Sequence, residues 1–260
     1  MIYAAFTVWL VLTIFAGIGV YRIWASFGKG QWVNWALLPG TLVSEMAYIF
    51  GSLITGGEIK KAKLVPDRAD KGDGQPTTTA TPRLQFVGPI VASLMSLVAC
   101  GAVILIVHAL LGEPVMARFL DEEFVSQVSL SKELPETWDA LWDEVDKQVE
   151  ILRRMCETWG SVDWLNWRVV LFVYLAACLA VRLGPVSRPI RATLGAVAAV
   201  AGVIALIGFI HKPFESVIHD IWPLMTYVWA SLLLLLTGTL AVLGLMGLWR
   251  VITGKDAPGK

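Results

Sequence analysis

Apolar residues in this chain gather into long, nearly unbroken runs separated by polar breaks. The runs extend from Ile2 to about Trp24, Trp32 to about Gly56, Leu84 to Leu111, Trp164 to Leu183, Pro189 to Ile210 and Ile221 to Ile252. A helix that crosses a bilayer core of about 30 Å needs roughly 20 apolar residues, and each run offers about that many. The pattern predicts an all-α polytopic membrane protein with about six transmembrane helices and one extra-membrane amphipathic helix. The layout expected is residues 1–112 with the first three spans, an insertion over 113–163, and residues 164–260 with the last three.

The runs are not alike. No basic region precedes the first and no small-residue cleavage pattern follows it, so it is expected to be retained as a helix. Pro39 and Gly40 interrupt the second, which also carries Glu45 near its middle. Pro89 near the start of the third either kinks it or occupies its first turn. The fifth is dense in Ala and Gly, which lets neighbouring backbones approach and predicts an interior position. Trp32, Trp35, Trp164 and Trp167 fall at run boundaries, where an aromatic belt is expected.

Two polar stretches stand out. Residues 57–83 form a loop, and from Pro66 to Pro82 it is rich in Asp, Gly, Thr and Pro with little to bury, which predicts mobility. The insertion from Glu113 to Asp163 holds 13 of the 21 acids. Within it Trp138, Leu141, Trp142, Val145, Val149, Leu152 and Trp159 recur at three- and four-residue spacing among Asp139, Asp143, Glu144, Asp146, Lys147 and Glu150. This predicts an amphipathic helix over 135–160, with Pro135 in its first turn. Its apolar stripe has three readings: packing on the chain's own membrane domain, docking to a partner protein, or lying in the lipid interface. Interfacial helices usually carry Lys and Arg on the polar face, and this one is acidic.

Composition agrees with the pattern, since 56% of the residues are apolar and 16% charged. The spans leave no room for a separate catalytic domain. Lys plus Arg balances Asp plus Glu at 21 each, which argues against a nucleic-acid partner. Cys100, Cys156 and Cys178 fit neither a zinc knuckle nor a disulfide framework and are read as unpaired thiols. With six spans, both termini share a side with Lys60, Lys61, Lys63, Arg68, Lys71, Arg83, Arg182, Arg188, Arg191, Arg250, Lys255 and Lys260. Arg22, Lys29, Lys212 and the acidic insertion fall opposite. By the positive-inside rule the termini are expected in the cytoplasm, for instance of a bacterial cell with this chain in its inner membrane.

One segment carries a chemical pattern. The stretch Leu38-Pro39-Gly40-Thr41-Leu42-Val43-Ser44-Glu45-Met46-Ala47-Tyr48, then Leu53-Ile54-Thr55-Gly56-Gly57-Glu58-Ile59, resembles the zinc-binding helix of intramembrane metalloproteases of the site-2 protease type. The shared elements are Pro-Gly-Thr, a His-Glu-x-x-His position, and a Thr-Gly turn into a short basic strand-like segment. Ser44 and Tyr48 stand where the two His would be, and Glu45 alone is kept. Phe86-Val87-Gly88-Pro89 is similar to the Gly-Pro opening of the following span in such proteins. Gly184-Pro185-Val186-Ser187-Arg188 is similar to the junction where relatives place a Pro-Ser motif and a ligating Asp. Here Pro189 and Ile190 occupy that neighbourhood, and no Asp or Glu occurs between Trp164 and Phe214.

A zinc site of that type needs two imidazoles four residues apart on one helical face and a third ligand from elsewhere. Ser and Tyr hydroxyls are poor zinc ligands, and His108, His211 and His219 lie far in sequence from Glu45. The expectation is no metal, no cofactor and no catalytic residue beyond a remnant Glu45, because without metal-activated water the reaction lacks its nucleophile. Glu45 is expected to be neutral, paired with a hydroxyl such as that of Ser44 or Tyr48, or facing a polar cavity.

The leading expectation is a catalytically inactive metalloprotease-like protein serving as a binding or scaffolding subunit of a membrane complex. Its partners would be the lipid bilayer and other membrane-protein subunits or a transmembrane helix, with Trp138, Trp142, Val145, Val149 and Trp159 as candidate partner-binding residues. The alternatives are a transporter or proton-conducting component using Glu45, and an active intramembrane protease with unconventional ligands.

Overall fold

The computed structural model describes residues 2–27, 30–62, 78–81, 87–120, 129–183, 190–210 and 214–253. Its helices are α1 (Ile2–Phe27), α2 (Gly30–Ala36), α3 (Leu38–Ile54), α4 (Val87–Leu111), α5 (Glu113–Phe119), α6 (Trp138–Ser161), α7 (Trp167–Arg182), α8 (Ile190–Ile210) and α9 (Phe214–Thr253). Two strands, β1 (Glu58–Ala62) and β2 (Thr78–Thr81), form an antiparallel pair with Glu58 opposite Thr81 and Ala62 opposite Thr78. The protein is therefore mostly helical, as expected, with one small hairpin that the sequence reading did not include. The hairpin takes up the ends of the polar loop, and the mobility expected between its strands falls on residues 63–77, outside the described residues.

Among the described residues three helices are long and apolar enough to cross a membrane: Ile2–Ser26, Val87–Leu111 and Ser216–Trp249. They fit an integral membrane protein. Leu38–Ile54 and Leu194–Ile204 are shorter apolar helices. α9 has 40 residues, about 60 Å at 1.5 Å per residue and roughly twice a bilayer core, so it extends beyond the apolar layer. Leu245, Leu248 and Trp249 near its end are exposed.

Side-chain contacts fix the direction of each helix. Phe6 meets Trp222 at 6.2 Å between ring centroids, Trp9 meets Trp229 at 5.4 Å, and Gly19 faces Leu236, so α1 and α9 run the same way. Phe172 packs on Tyr227 at 5.3 Å, Gly17 faces Ala180 and Val181, and the Arg182 guanidinium stacks on Tyr21 at 4.8 Å, so α7 runs with them. α4 runs against α7, with His108 beside Phe172 near its end and Ala92 against Gly51 near its start. Gly195 of α8 faces Ile90 of α4, and the end of α8 joins the start of α9 through three residues, so α8 runs with α4.

The second apolar run is the exception. It breaks at Leu37, which is 2% exposed, into α2 and α3. Asn34 on α2 accepts a hydrogen bond from Tyr21 at 3.0 Å, level with Arg182. Two residues on, the Ala36 carbonyl accepts one from Tyr174 at 2.7 Å and one from Cys178 at 3.4 Å. The chain thus climbs α7 from the level of Arg182 towards its start and turns at Leu37, with Pro39 in the first turn of α3, where its missing N–H costs no helical bond. α3 then descends, Gly40 against Cys178, Ser44 against Ser96 and Gly51 against Ala92. The run predicted as one crossing is a hairpin that enters and leaves at the same end of the bundle. Together with the parallel course of α1 and α7, it returns the chain to the end of the bundle from which α4 starts. The start of α1 at Ile2 and the end of α9 at Thr253 lie at opposite ends of the bundle.

Two glycines make this descent possible. A Cβ on Gly40 would lie 2.4 Å from the Cys178 carbonyl oxygen, and one on Gly51 would lie 2.7 Å from the Ala92 Cα. Both are backbone contacts that no side-chain rotation relieves. α3 ends in a Schellman turn: Gly57 N–H donates to Ser52 at 2.8 Å and Gly56 N–H to Leu53 at 2.9 Å, with Gly56 at a φ of 72°. That turn delivers the chain into β1.

The insertion is pinned to the bundle by three indole N–H groups. Trp9 donates to the Ser131 carbonyl at 3.1 Å, Trp222 to that of Leu130 at 2.9 Å, and Trp229 to the Gln148 side chain at 2.6 Å. α6 begins at Trp138, with the Thr137 hydroxyl accepting from Ala140 N–H at 3.2 Å, so Pro135 precedes the helix and is not in its first turn. Around the end that holds the insertion, Phe119, Phe172 and Tyr227 form a buried aromatic cluster. On α8, Ala192, Ala196 and Val197 are buried while Leu194, Val203 and Leu206 are exposed, so the small-residue helix is interior on one face only.

Gly40→Ala is expected to destabilise the protein by about 1–3 kcal/mol through overpacking, measured by denaturant titration in mild detergent. Gly101→Ala, where a Cβ meets nothing within 4 Å, is the control and should cost nothing. Equal stability of both variants would show that the α3–α7 contact is not tight.

Candidate functional site

The buried face of α3 carries Gly40, Thr41, Ser44, Glu45, Gly51 and Ser52. Ser44 and Tyr48 lie one turn apart, as the two imidazoles of a zinc helix would. The Ser44 hydroxyl, however, is bonded across the helix interface to Ser96 on α4 at 2.8 Å. Glu45 is 5% exposed, sunk in the bundle, while Met46 and Phe50 on the opposite face are 60% and 56% exposed. Thr41 and Ser52 turn their hydroxyls back onto their own helix, to Leu37 and Tyr48 carbonyls, both at 2.9 Å. α3 is therefore a helix with one polar, small-residue face that fits closely against α4 and α7.

A second polar cluster sits beside it. The Arg182 guanidinium is 6% exposed; it donates to the Asn34 side-chain oxygen at 3.1 Å and lies over the Tyr21 ring. The same Asn34 oxygen accepts from Tyr21, so one amide ties α1, α2 and α7 together. Arg182 is the last residue of α7, at the end of its span as the sequence has it, and it is buried there. Asn34 and Tyr21 were missed in the sequence. The available signal was a lone Asn inside an apolar run, together with an Arg whose own region holds no acid.

The histidines are scattered. His108 lies beside Phe172, with ring centroids 6.5 Å apart. His219 is 2.9 Å from the Lys132 amine, and His211 lies outside the described residues. Among the described residues no three His, Cys, Asp or Glu gather closely enough to hold a metal ion. None of the three cysteines is disulfide-bonded; Cys100 and Cys178 are buried and Cys156 is exposed.

On α6 the face turned to the bundle is not the stripe anticipated from the sequence. Ile151, Met155 and Thr158 are buried, Gln148 holds Trp229, and Arg154 donates to the Arg118 carbonyl at 3.2 Å. Trp138, Trp142, Val145 and Val149 are exposed, at 77%, 64%, 43% and 62%. Trp159 is half-buried and packs edge-on to Trp164 at 5.8 Å. The apolar stripe thus runs beside the packed face and stays uncovered for most of its length. Trp32, Trp35, Trp164 and Trp167 are exposed, as residues of an aromatic belt would be. Comparison with family models, curated proteins and solved structures finds nothing that matches this chain.

If the Ser44–Ser96 bond contributes as interhelical hydrogen bonds in membranes do, a Ser44→Ala/Ser96→Ala double-mutant cycle will show a coupling of about 0.6 kcal/mol. Asn34→Leu, which strips a charged donor of its acceptor, should cost more, about 1.5–3 kcal/mol. A larger loss from the serine pair than from Asn34 would reverse this ranking of the two clusters.

Proposed function

We propose that this chain is a catalytically inactive, metalloprotease-like integral membrane protein acting as a binding or scaffolding subunit of a membrane complex. The observation that carries the reading is the use made of the α3 face. At the position where the resemblance puts the first zinc ligand, a hydroxyl is committed to a helix–helix bond, and glycines close the surrounding interface. What remains of the water-activating set is Glu45, buried at 5% exposure. A binding role is supported by the uncovered Trp138, Trp142, Val145 and Val149 on α6, with Trp159 at the far end of the same stripe, because exposed Trp residues are favoured interface anchors.

In the membrane, α1, α4, α7, α8 and α9 cross and the α2–α3 hairpin enters and leaves on one face. The C-terminal end of the bundle then carries Arg22 and Arg191 beside connecting segments rich in Lys and Arg, which supports a cytoplasmic location for that end, in a bacterial cell inside the inner membrane. The acidic insertion and the N-terminus lie on the other side.

Metal analysis of the purified full-length protein tests the inactive reading. Zinc well below one equivalent is expected, unchanged in Glu45→Gln. One equivalent of zinc, whether or not Glu45→Gln removes it, would overturn it in favour of a protease with unconventional ligands.

A further inference from the structure

The stripe on α6 is a heptad seam. Trp138, Trp142, Val145, Val149, Leu152, Cys156 and Trp159 follow one another at alternating four- and three-residue steps, the spacing that lets two helices pack knobs into holes. In heptad terms Trp142, Val149 and Cys156 occupy a, while Trp138, Val145, Leu152 and Trp159 occupy d. The helix spends a different face on its own bundle, and five residues of the seam, Trp138, Trp142, Val145, Val149 and Cys156, are exposed.

We infer that α6 pairs antiparallel with α6 of a second copy of this chain. The inference rests on the reading of this stripe as a binding surface and names its occupant. In an antiparallel pair each a residue meets a d residue of the other helix. About a two-fold between Val145 and Val149, Val145 meets the partner's Val149, Trp142 meets the partner's Leu152, and Trp138 meets the partner's Cys156. The pairs at the two ends set a large side chain against a smaller one, so each layer can fill without two indoles colliding. Cys156 also lines the mouth of an apolar groove of about 730 Å³ with Trp24, Leu234, Leu235 and Val242, which gives the incoming Trp138 ring an apolar seat.

Charge follows the same symmetry. The e positions beside the seam are Asp139, Asp146 and Arg153, and antiparallel helices bring e against e. Asp139 then faces the partner's Arg153, and by the two-fold the pair occurs twice. Arg153 is 69% exposed and pairs with Glu150 and Glu157 at b positions of its own helix, so an exposed guanidinium turns from these carboxylates towards the seam to meet the partner's Asp139. Asp146 meets its own copy at the axis, one like-charge contact against two attractive ones. A closed two-fold whose axis runs along the membrane normal also leaves both copies inserted in the membrane the same way, as a bilayer protein requires.

Full-length protein in mild detergent, exposed to a thiol oxidant, tests the pairing. Trp138→Cys is expected to give a disulfide-linked dimer through Cys156 that Cys156→Ser abolishes. Wild type should give none, because Cys156 faces an indole. Residues 138 and 156 lie about 27 Å apart along one helix, so the bond cannot form within a chain. Leu165→Cys, 97% exposed and off the seam, is the collision control and should not cross-link. Asp139→Arg should lower the cross-linked fraction of Trp138→Cys roughly tenfold at low salt, and adding Arg153→Asp should restore it. Asp146→Asn should raise it. Absence of a Trp138→Cys dimer, or equal dimer in the Leu165→Cys control, overturns the pairing. If a different protein then co-purifies in stoichiometric amount and is lost on Trp142→Ala, the stripe binds a foreign partner and only the self-pairing fails. If nothing co-purifies, the binding reading fails with it.

Discussion

The structure depends on the missing side chains of Gly40 and Gly51. Without a Cβ at these two positions α3 lies against the backbone of α7 at Cys178 and of α4 at Ala92, closer than any other residue would allow. That closeness brings Ser44 within 2.8 Å of Ser96 and sinks Glu45 into the bundle. It also leaves room above α3 for α2, whose Asn34 holds the buried Arg182. In a bilayer, where apolar burial does not drive helices together, close van der Waals contact through small residues is the main available attraction. The hairpin is therefore a wedge held by fit, with a few hydrogen bonds fixing its depth.

The same fit bears on chemistry. A metal-dependent protease would need the α3 face to open onto donor groups and water. Here the small residues that close the face and the hydroxyl that bridges it serve packing. Glu45 is buried within the same closely packed face. An outward-facing apolar surface lies instead on α6, which is anchored by Trp229 and turns a row of apolar side chains outward.

Helix positions were legible in the sequence because long apolar runs have one economical conformation in lipid. Their directions were not, since hydropathy carries no sense of up or down. The run from Trp32 to Gly56 reads as a crossing with a flaw at Pro39, and only the contacts of Asn34 and Gly40 with α7 reveal a turn at Leu37. The stripe on α6 was legible residue by residue, yet its outward aim was not. Periodicity identifies a face, and the covering depends on which neighbouring face, here Ile151 and Met155, finds the bundle first. Arg182 was visible as a charge at the end of a run, but its burial came from Asn34 and Tyr21, more than a hundred positions away. The Ser44–Glu45–Tyr48 pattern was found in the sequence, while Ser96, which engages Ser44, carries no local signal.

With α1, α4, α7, α8 and α9 crossing as proposed, the α2–α3 hairpin decides whether the chain's ends share a side. Short epitope tags at the two termini, probed by protease in sealed vesicles of known orientation, read this directly. The account predicts that one tag is cleaved and the other protected. Both tags cleaved together, or both protected together, would mean that the second apolar run crosses the membrane and that the hairpin does not exist there.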